Sequence, residues 1–240
     1  MKVITVMCRK GGVGKTTTSE ALILALREKG YKVLALDLDS QQNLTNYFNP
    51  DYEHDAFDLV DERKHISIED IIEKDLIAGG RIIYLSEYLR NNDSTIIKER
   101  LNQVSSKYDY LIIDTPPAID HVVYSSIELT NYVIVPCECT NDGVLGALST
   151  LDLIEAKRKK NNLDLKILGI VLTMYKKNYS LHQQFKKSLE DKGYKVFTST
   201  IRESQAINNS KIAKSNFIKN KSIKATQDYI SLTNEILKLI

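Results

Sequence analysis

Lys10-Gly11-Gly12-Val13-Gly14-Lys15-Thr16-Thr17 is the most informative stretch of this 240-residue chain. A β-rich run, Lys2–Met7, precedes it, and a helical pattern follows over Lys15–Lys29. In that pattern Ala21, Leu22, Ala25 and Leu26 recur at helical spacing, and Gly30 stands as the stop. A glycine-rich turn between a strand and a helix brings consecutive backbone N–H groups onto phosphate oxygens. The helix N-terminus adds partial positive charge. Lys15 is then placed to reach β- and γ-phosphates, and the Thr16 hydroxyl to ligate Mg²⁺. Gly11, Gly12, Val13, Gly14 and Thr17 complete the cradle.

Outward from this loop the chain alternates short apolar runs with longer helical patterns. Lys32–Leu38, Arg81–Leu85, Tyr110–Asp114, Tyr132–Pro136 and Lys166–Thr173 read as further strands. Helices are expected over about Ser94–Ser106, Gly143–Lys160, Ser180–Lys192 and Ile223–Leu239. The alternation predicts an α/β fold: a mostly parallel sheet with helices on both faces. No repeat, low-complexity stretch or linker divides the sequence, so one domain over residues 1–240 is expected. The acidic, weakly periodic region Asn49–Lys64 reads as a surface excursion.

Two carboxylates stand at the ends of predicted strands. Asp39 follows the second strand in Asp37-Leu38-Asp39-Ser40-Gln41. Asp114 ends Tyr110-Leu111-Ile112-Ile113-Asp114 and precedes Thr115-Pro116-Pro117. Acids at the C-terminal ends of parallel strands face the crevice where α/β sheets bind ligands. Four apolar or aromatic residues followed by Asp form a Walker B pattern, whose acid holds Mg²⁺ through water.

Lys10, immediately before Gly11, gives the loop a second lysine. The stretch therefore resembles the deviant Walker A motif of the ParA/MinD family of P-loop ATPases, and the resemblance extends over most of the chain. The Asp39 and Asp114 segments look like the family's switch regions, with Ser40 in place of the usual proline. Tyr132–Pro136 and Gly169–Tyr175 are similar to its later strands.

The resemblance implies a P-loop ATPase fold, ATP and Mg²⁺ as ligands, and weak basal hydrolysis. It implies that Lys10 contacts the nucleotide of a partner subunit in an ATP-dependent homodimer. Asp39 would position the attacking water and could also touch the metal, while Asp114 supports Mg²⁺ through water. Adenine contacts would fall near Thr173 and Met174. The chain is similar to the small ParA type without an N-terminal helix-turn-helix, a DNA partition ATPase stimulated by a ParB-like adaptor.

The formal net charge of +2 conceals an uneven distribution. Residues 1–120 carry 15 basic and 20 acidic side chains, whereas residues 157–224 carry 17 and 4. Such asymmetry suggests a polyanionic partner for one face. Few aromatics alternate with the lysines, which favours duplex-backbone contact over base stacking. With the resemblance, this points to nonspecific double-stranded DNA, Arg202, Lys211 and Lys214 among the contacts, and a cytoplasmic, nucleoid-associated protein.

Other classes fit less well. The chain has no apolar run of about 18 residues. Three cysteines, Cys8, Cys137 and Cys139, make a disulfide framework improbable and suit a reducing compartment. A MinD-like membrane-cycling ATPase is the alternative, but the last helix carries only Lys238 as a base, so core packing explains its apolar spacing better and no membrane partner is expected. The cysteines also lack the pattern of an iron–sulfur ATPase.

Overall fold

In the computed structural model, which describes residues 1–118 and 120–240, six strands form one sheet. In chain order the elements begin with β1 (Lys2–Val6), α1 (Lys15–Glu28), β2 (Val33–Asp37), α2 (Asn43–Phe48), α3 (Ile68–Ile71) and β3 (Leu76–Ile77). They continue with α4 (Ile82–Asn91), α5 (Thr95–Gln103), β4 (Tyr110–Asp114), α6 (His121–Leu129), β5 (Tyr132–Glu138) and α7 (Asn141–Asn161). The last are β6 (Lys166–Thr173), α8 (Ser180–Asp191), α9 (Gln205–Ile212) and α10 (Lys224–Leu237). The strand order is β3-β2-β4-β1-β5-β6, and every pairing is parallel.

Parallel pairing puts all the C-terminal strand ends at one edge of the sheet. It also demands cover on both faces, which the near-continuous Val/Ile/Leu strands reflect. Ile4, Ile112 and Ile134 face a core shared with α1 and α10. Their neighbours Leu111, Ile113, Val133 and Val135 face the opposite cores, packed by α4–α7. Helix α1 is buried on nearly all sides because α10 covers its outer surface with Tyr229, Leu232 and Ile236. Each fully buried Leu or Ile there contributes about 1.5–3 kcal/mol of transfer free energy. The apolar spacing of the last helix thus serves the core. Gly30, at φ +88°, ends α1, with Gly30 N–H bonded to Arg27 O and Tyr31 N–H to Leu26 O.

Two expectations are corrected. Arg81–Leu85 is the start of α4 and not a strand. The Gly79-Gly80 pair and Arg81 at φ +43° turn the chain, after which Ile82, Leu85 and Leu89 bury one helical face. The neighbouring strand is β3, only two residues long. Residues 49–64 are no loose excursion either: Ala56, Leu59 and Val60 enter the core beside Leu34 and Leu36. The acids that made the segment look solvated, Asp55 and Asp58, are buried and held by Arg81 at 2.7 and 2.5 Å.

Candidate functional site

The loop after β1 lies at the C-terminal edge of the sheet. Gly12 and Gly14 adopt φ of +78° and +87°, a region that L side chains rarely enter. Gly14 leads directly into α1, whose first-turn N–H groups open toward a cleft of about 510 Å³. Gly11, Gly12, Gly14, Lys15, Thr16, Thr17, Asp39 and Lys211 are among its walls. The structure therefore brings together the loop residues and the strand-end acid that the sequence singled out.

Lys15 is largely buried, and its Nζ donates to Lys10 O across the loop at 3.0 Å. Burial lowers its pKa from the ordinary lysine value, partly offset by the nearby Asp114 and Asp39. On α1, Thr16 and Ser19 lie three residues apart on one face. Their hydroxyls donate to the two oxygens of Asp114, at 2.7 Å (Oδ2) and 2.9 Å (Oδ1). Asp114 is fully buried, and Asp37, its register partner on β2, is equally so. Burial raises both carboxyls above the ordinary aspartate range, helped by the nearby Asp39 at Asp37 and by Asp37 at Asp114. Thr45 donates to Asp37 through its amide and hydroxyl, and the Asp39 amide donates to its other oxygen. Asp39 in turn accepts from Gln41 N–H at 3.0 Å and borders the cleft.

A hard cation fits this donor set. A hydroxyl and buried carboxylates are its usual oxygen ligands, and among the described residues Lys15 is the positive charge that acts on Asp114. Among the described residues no group of three His, Cys, Asp or Glu side chains gathers as a self-sufficient metal site.

Lys10 does not project freely. Its Nζ lies 2.7 Å from Glu138 Oε2 at the end of β5, which holds the ammonium above the usual lysine pKa. Gly146 of α7 packs against it so closely that a Cβ there would stand 2.8 Å from Lys10 Cβ. Thr173 bonds through its hydroxyl to Val13 O at 2.9 Å, and Met174 sits at φ +51°. Both border a smaller hollow of about 120 Å³, next to the cleft, with Ser204, Ile207, Asn208 and Tyr229.

The three bases assigned to a polyanion surface part company. Lys214 is exposed. Arg202 is clamped to Asp228 by two bonds of 2.7 and 2.9 Å. Lys211 turns inward, its Nζ 2.9 Å from Thr17 Oγ1 and 3.1 Å from Glu20 Oε2. Sequence reading missed Ser19, Asp37, Glu138 and Asn208. Ser19 carried a local signal, three residues beyond Thr16 on the same helix face, and Asp37 another, as the strand-end acid of Asp37-Leu38-Asp39.

A larger cavity, about 790 Å³, opens between residues 57–63 and α4. Its walls combine Phe57, Tyr84 and Tyr88 with charged side chains, and it has no cradle of loop N–H groups. Cys137 and Cys139 are buried, which pushes both thiols up to about 12 and leaves them inert at neutral pH. Among the described residues no helix is long and apolar enough to cross a membrane.

Comparison with known proteins places this geometry in context. A family model described as an AAA domain matches residues 1–167. The sporulation initiation inhibitor protein Soj of Bacillus subtilis is 32% identical over 222 residues, 85% of this chain and 87% of Soj. The chromosome partitioning protein ParA of Caulobacter vibrioides is 26% identical over 253 residues, covering 99% of this chain and 94% of ParA. A plasmid partition protein of Borrelia burgdorferi B31, solved with bound AMPPNP, superposes with a TM-score of 0.80 at 28% identity. That match covers 100% of this chain and 99% of the Borrelia chain.

Proposed function

Because the chain belongs to the AAA-domain family and is a ParA-like partition ATPase, we propose that it hydrolyses ATP with Mg²⁺ as one P-loop domain spanning residues 1–240, using the hydrolysis to leave a DNA track. The observation that carries this reading is the Thr16–Asp114 contact of 2.7 Å at the floor of the loop cleft. It joins the first turn of α1 to the end of β4, where a phosphate-bound cation needs its oxygen ligands.

The chain's own residues take these roles. The N–H groups of Gly11 through Thr17 wrap the phosphates, favoured by the start of α1. Lys15 exchanges its bond to the Lys10 carbonyl for phosphate oxygens. Thr16 would hold Mg²⁺ directly and Asp114 would support it through water. Bound Mg²⁺ supplies charge neutralisation across the phosphate oxygens. Asp39, at the cleft wall, orients the attacking water. Thr173 and Met174 border the base, together with Asn208.

ATP bridges two copies of the chain, and Lys10 of each reaches the other's nucleotide as a charge clamp. The dimer then holds nonspecific duplex DNA through exposed bases of the late, lysine-rich surface, Lys214 among them. Arg202 contributes after leaving Asp228, and Lys211 is reassigned to the cleft. A ParB-like centromere-binding adaptor stimulates hydrolysis and so release, in a cytoplasmic, nucleoid-associated cycle. The same late surface makes DNA a better track than membrane, since the apolar face of α10 is already spent on α1.

Steady-state phosphate release tests the enzymatic core. Slow, Mg²⁺-dependent turnover by the wild type, at least about 100-fold slower in Lys15→Ala, is the expected result. Turnover unchanged in Lys15→Ala would remove the loop from the chemistry.

A further inference from the structure

Lys211 comes from α9, far along the chain from the phosphate loop, yet its ammonium ends inside the cleft. It donates to the hydroxyl of Thr17, the residue after the proposed metal ligand, at 2.9 Å. Its side chain is 24% exposed, and that exposed part lies on the cleft wall with Gly14, Lys15 and Thr16. Behind it stands Glu20, one turn further along α1 and wholly buried. Neither Glu20 oxygen has a hydrogen-bonded partner of good geometry; the 3.1 Å approach of Lys211 is the one ionic contact it makes among the described residues.

We propose that Lys211 is a second cationic phosphate ligand of the nucleotide site, contacting the polyphosphate beside Thr17, with Glu20 as the buried acceptor that aims it. This deepens the ATPase reading and rests on it.

The charge state of the pair supports the assignment. Burial pushes the Glu20 carboxyl up to about 8, despite the opposing pull of Lys211. A carboxyl shifted toward its neutral form orients the ammonium with less cancellation of its charge. A positive group facing a water-accessible cleft beside a helix N-terminus is built for an anion. Lys15 Nζ is bonded to Lys10 O at the start of the loop, whereas Lys211 Nζ is bonded to Thr17 at its end. The two lysines therefore address different parts of one polyphosphate. Because α9 also supplies Asn208 to the base-side hollow, the contact ties the late half of the chain to nucleotide occupancy.

The test is equilibrium binding of ATP, ADP and adenosine to four proteins: wild type, Lys211→Met, Glu20→Gln and Glu20→Gln/Lys211→Met. The double variant removes the pair without leaving a buried carboxyl unpartnered, so folding is preserved where Lys211→Met alone fails. Glu20→Gln keeps a neutral acceptor beside Lys211 and serves as the matched reference for the double variant. Relative to Glu20→Gln, the double variant should bind ATP and ADP about tenfold more weakly, equivalent to about 1.4 kcal/mol, with adenosine affinity unchanged. Equal ATP affinity in these two proteins would overturn the assignment. So would an equal proportional loss for adenosine, which marks a structural role. Absence of ATP and ADP binding to the wild type would instead overturn the underlying ATPase reading.

Discussion

Lys10 Nζ rests 2.7 Å from Glu138 Oε2 within the same chain. The lysine proposed to act on a partner's nucleotide is thus parked on an acid at the end of β5, with both side chains about a quarter exposed. Dimer formation must exchange this contact for phosphate. A partly exposed ion pair contributes up to about 1 kcal/mol and each dimer breaks two of them, so Glu138→Gln should tighten ATP-dependent dimerisation by up to about thirtyfold in sedimentation velocity. Lys10→Ala should retain ATP binding and lose the dimer. Dimerisation that is insensitive to both substitutions would contradict the trans role.

Asp114 takes hydroxyl bonds from Thr16 and Ser19 and lies buried beside Asp37. Asp114→Asn keeps the volume but weakens support of the cation, an effect of about 10–100-fold for water-mediated and outer-shell partners. Titration of Mg²⁺ against ATP binding should move by that factor. Binding of nucleotide in the presence of a chelator should stay near wild type.

Glu20 makes stability depend on pH. In the unfolded chain its carboxyl ionises near 4.5, and in the folded chain near 8, chiefly because it is buried. The groups acting around it are Lys211 of α9, Asp37 of β2, Asp114 of β4, Tyr47 of α2 and Tyr229 of α10. Between those two pH values the folded state binds a proton that the unfolded state has released. This group's contribution is therefore fully present below about pH 4.5 and is lost as pH rises through about 8. Thermal melts from pH 5 to 9 should show Glu20→Gln gaining on wild type toward the alkaline end, about 2–4 °C for each kcal/mol recovered. Parallel melting curves for the two proteins would show that Glu20 ionises normally.

Gly146 carries a packing prediction. A methyl there would stand 2.8 Å from Lys10 Cβ, an atom that has no freedom to swing aside. Gly146→Ala should destabilise by about 1–3 kcal/mol in urea unfolding, the usual cost of overpacking, and weaken ATP binding by shifting the loop. Full stability would mean that α7 yields to the loop at no cost.

What local patterns encode was readable in advance. The loop, the run into α1 and strands β1, β2, β4, β5 and β6 all announce themselves through glycine spacing and Ile/Val/Leu content within a few residues. Ile82-Ile83-Tyr84-Leu85 misled because a short apolar run suits a strand or a helix, and only Leu89, further on, completes the helical face. Asp55 and Asp58 looked solvated because their partner, Arg81, lies more than twenty residues away. Lys211 looked like one surface lysine among many for a similar reason. Its neighbours Thr17 and Glu20 sit at the other end of the chain, and tertiary structure alone brings them together.

In the proposed cycle, bound ATP commits the chain to DNA. Retention on nonspecific duplex DNA, measured with Mg²⁺-ATP and with Mg²⁺-ADP across increasing salt, tests it most directly. Retention with ATP only is expected, falling steeply as salt rises because the contacts are to phosphates, and lost in Lys10→Ala. Equal retention with ATP and ADP, or no retention on DNA alongside ATP-dependent binding to anionic liposomes, would contradict it.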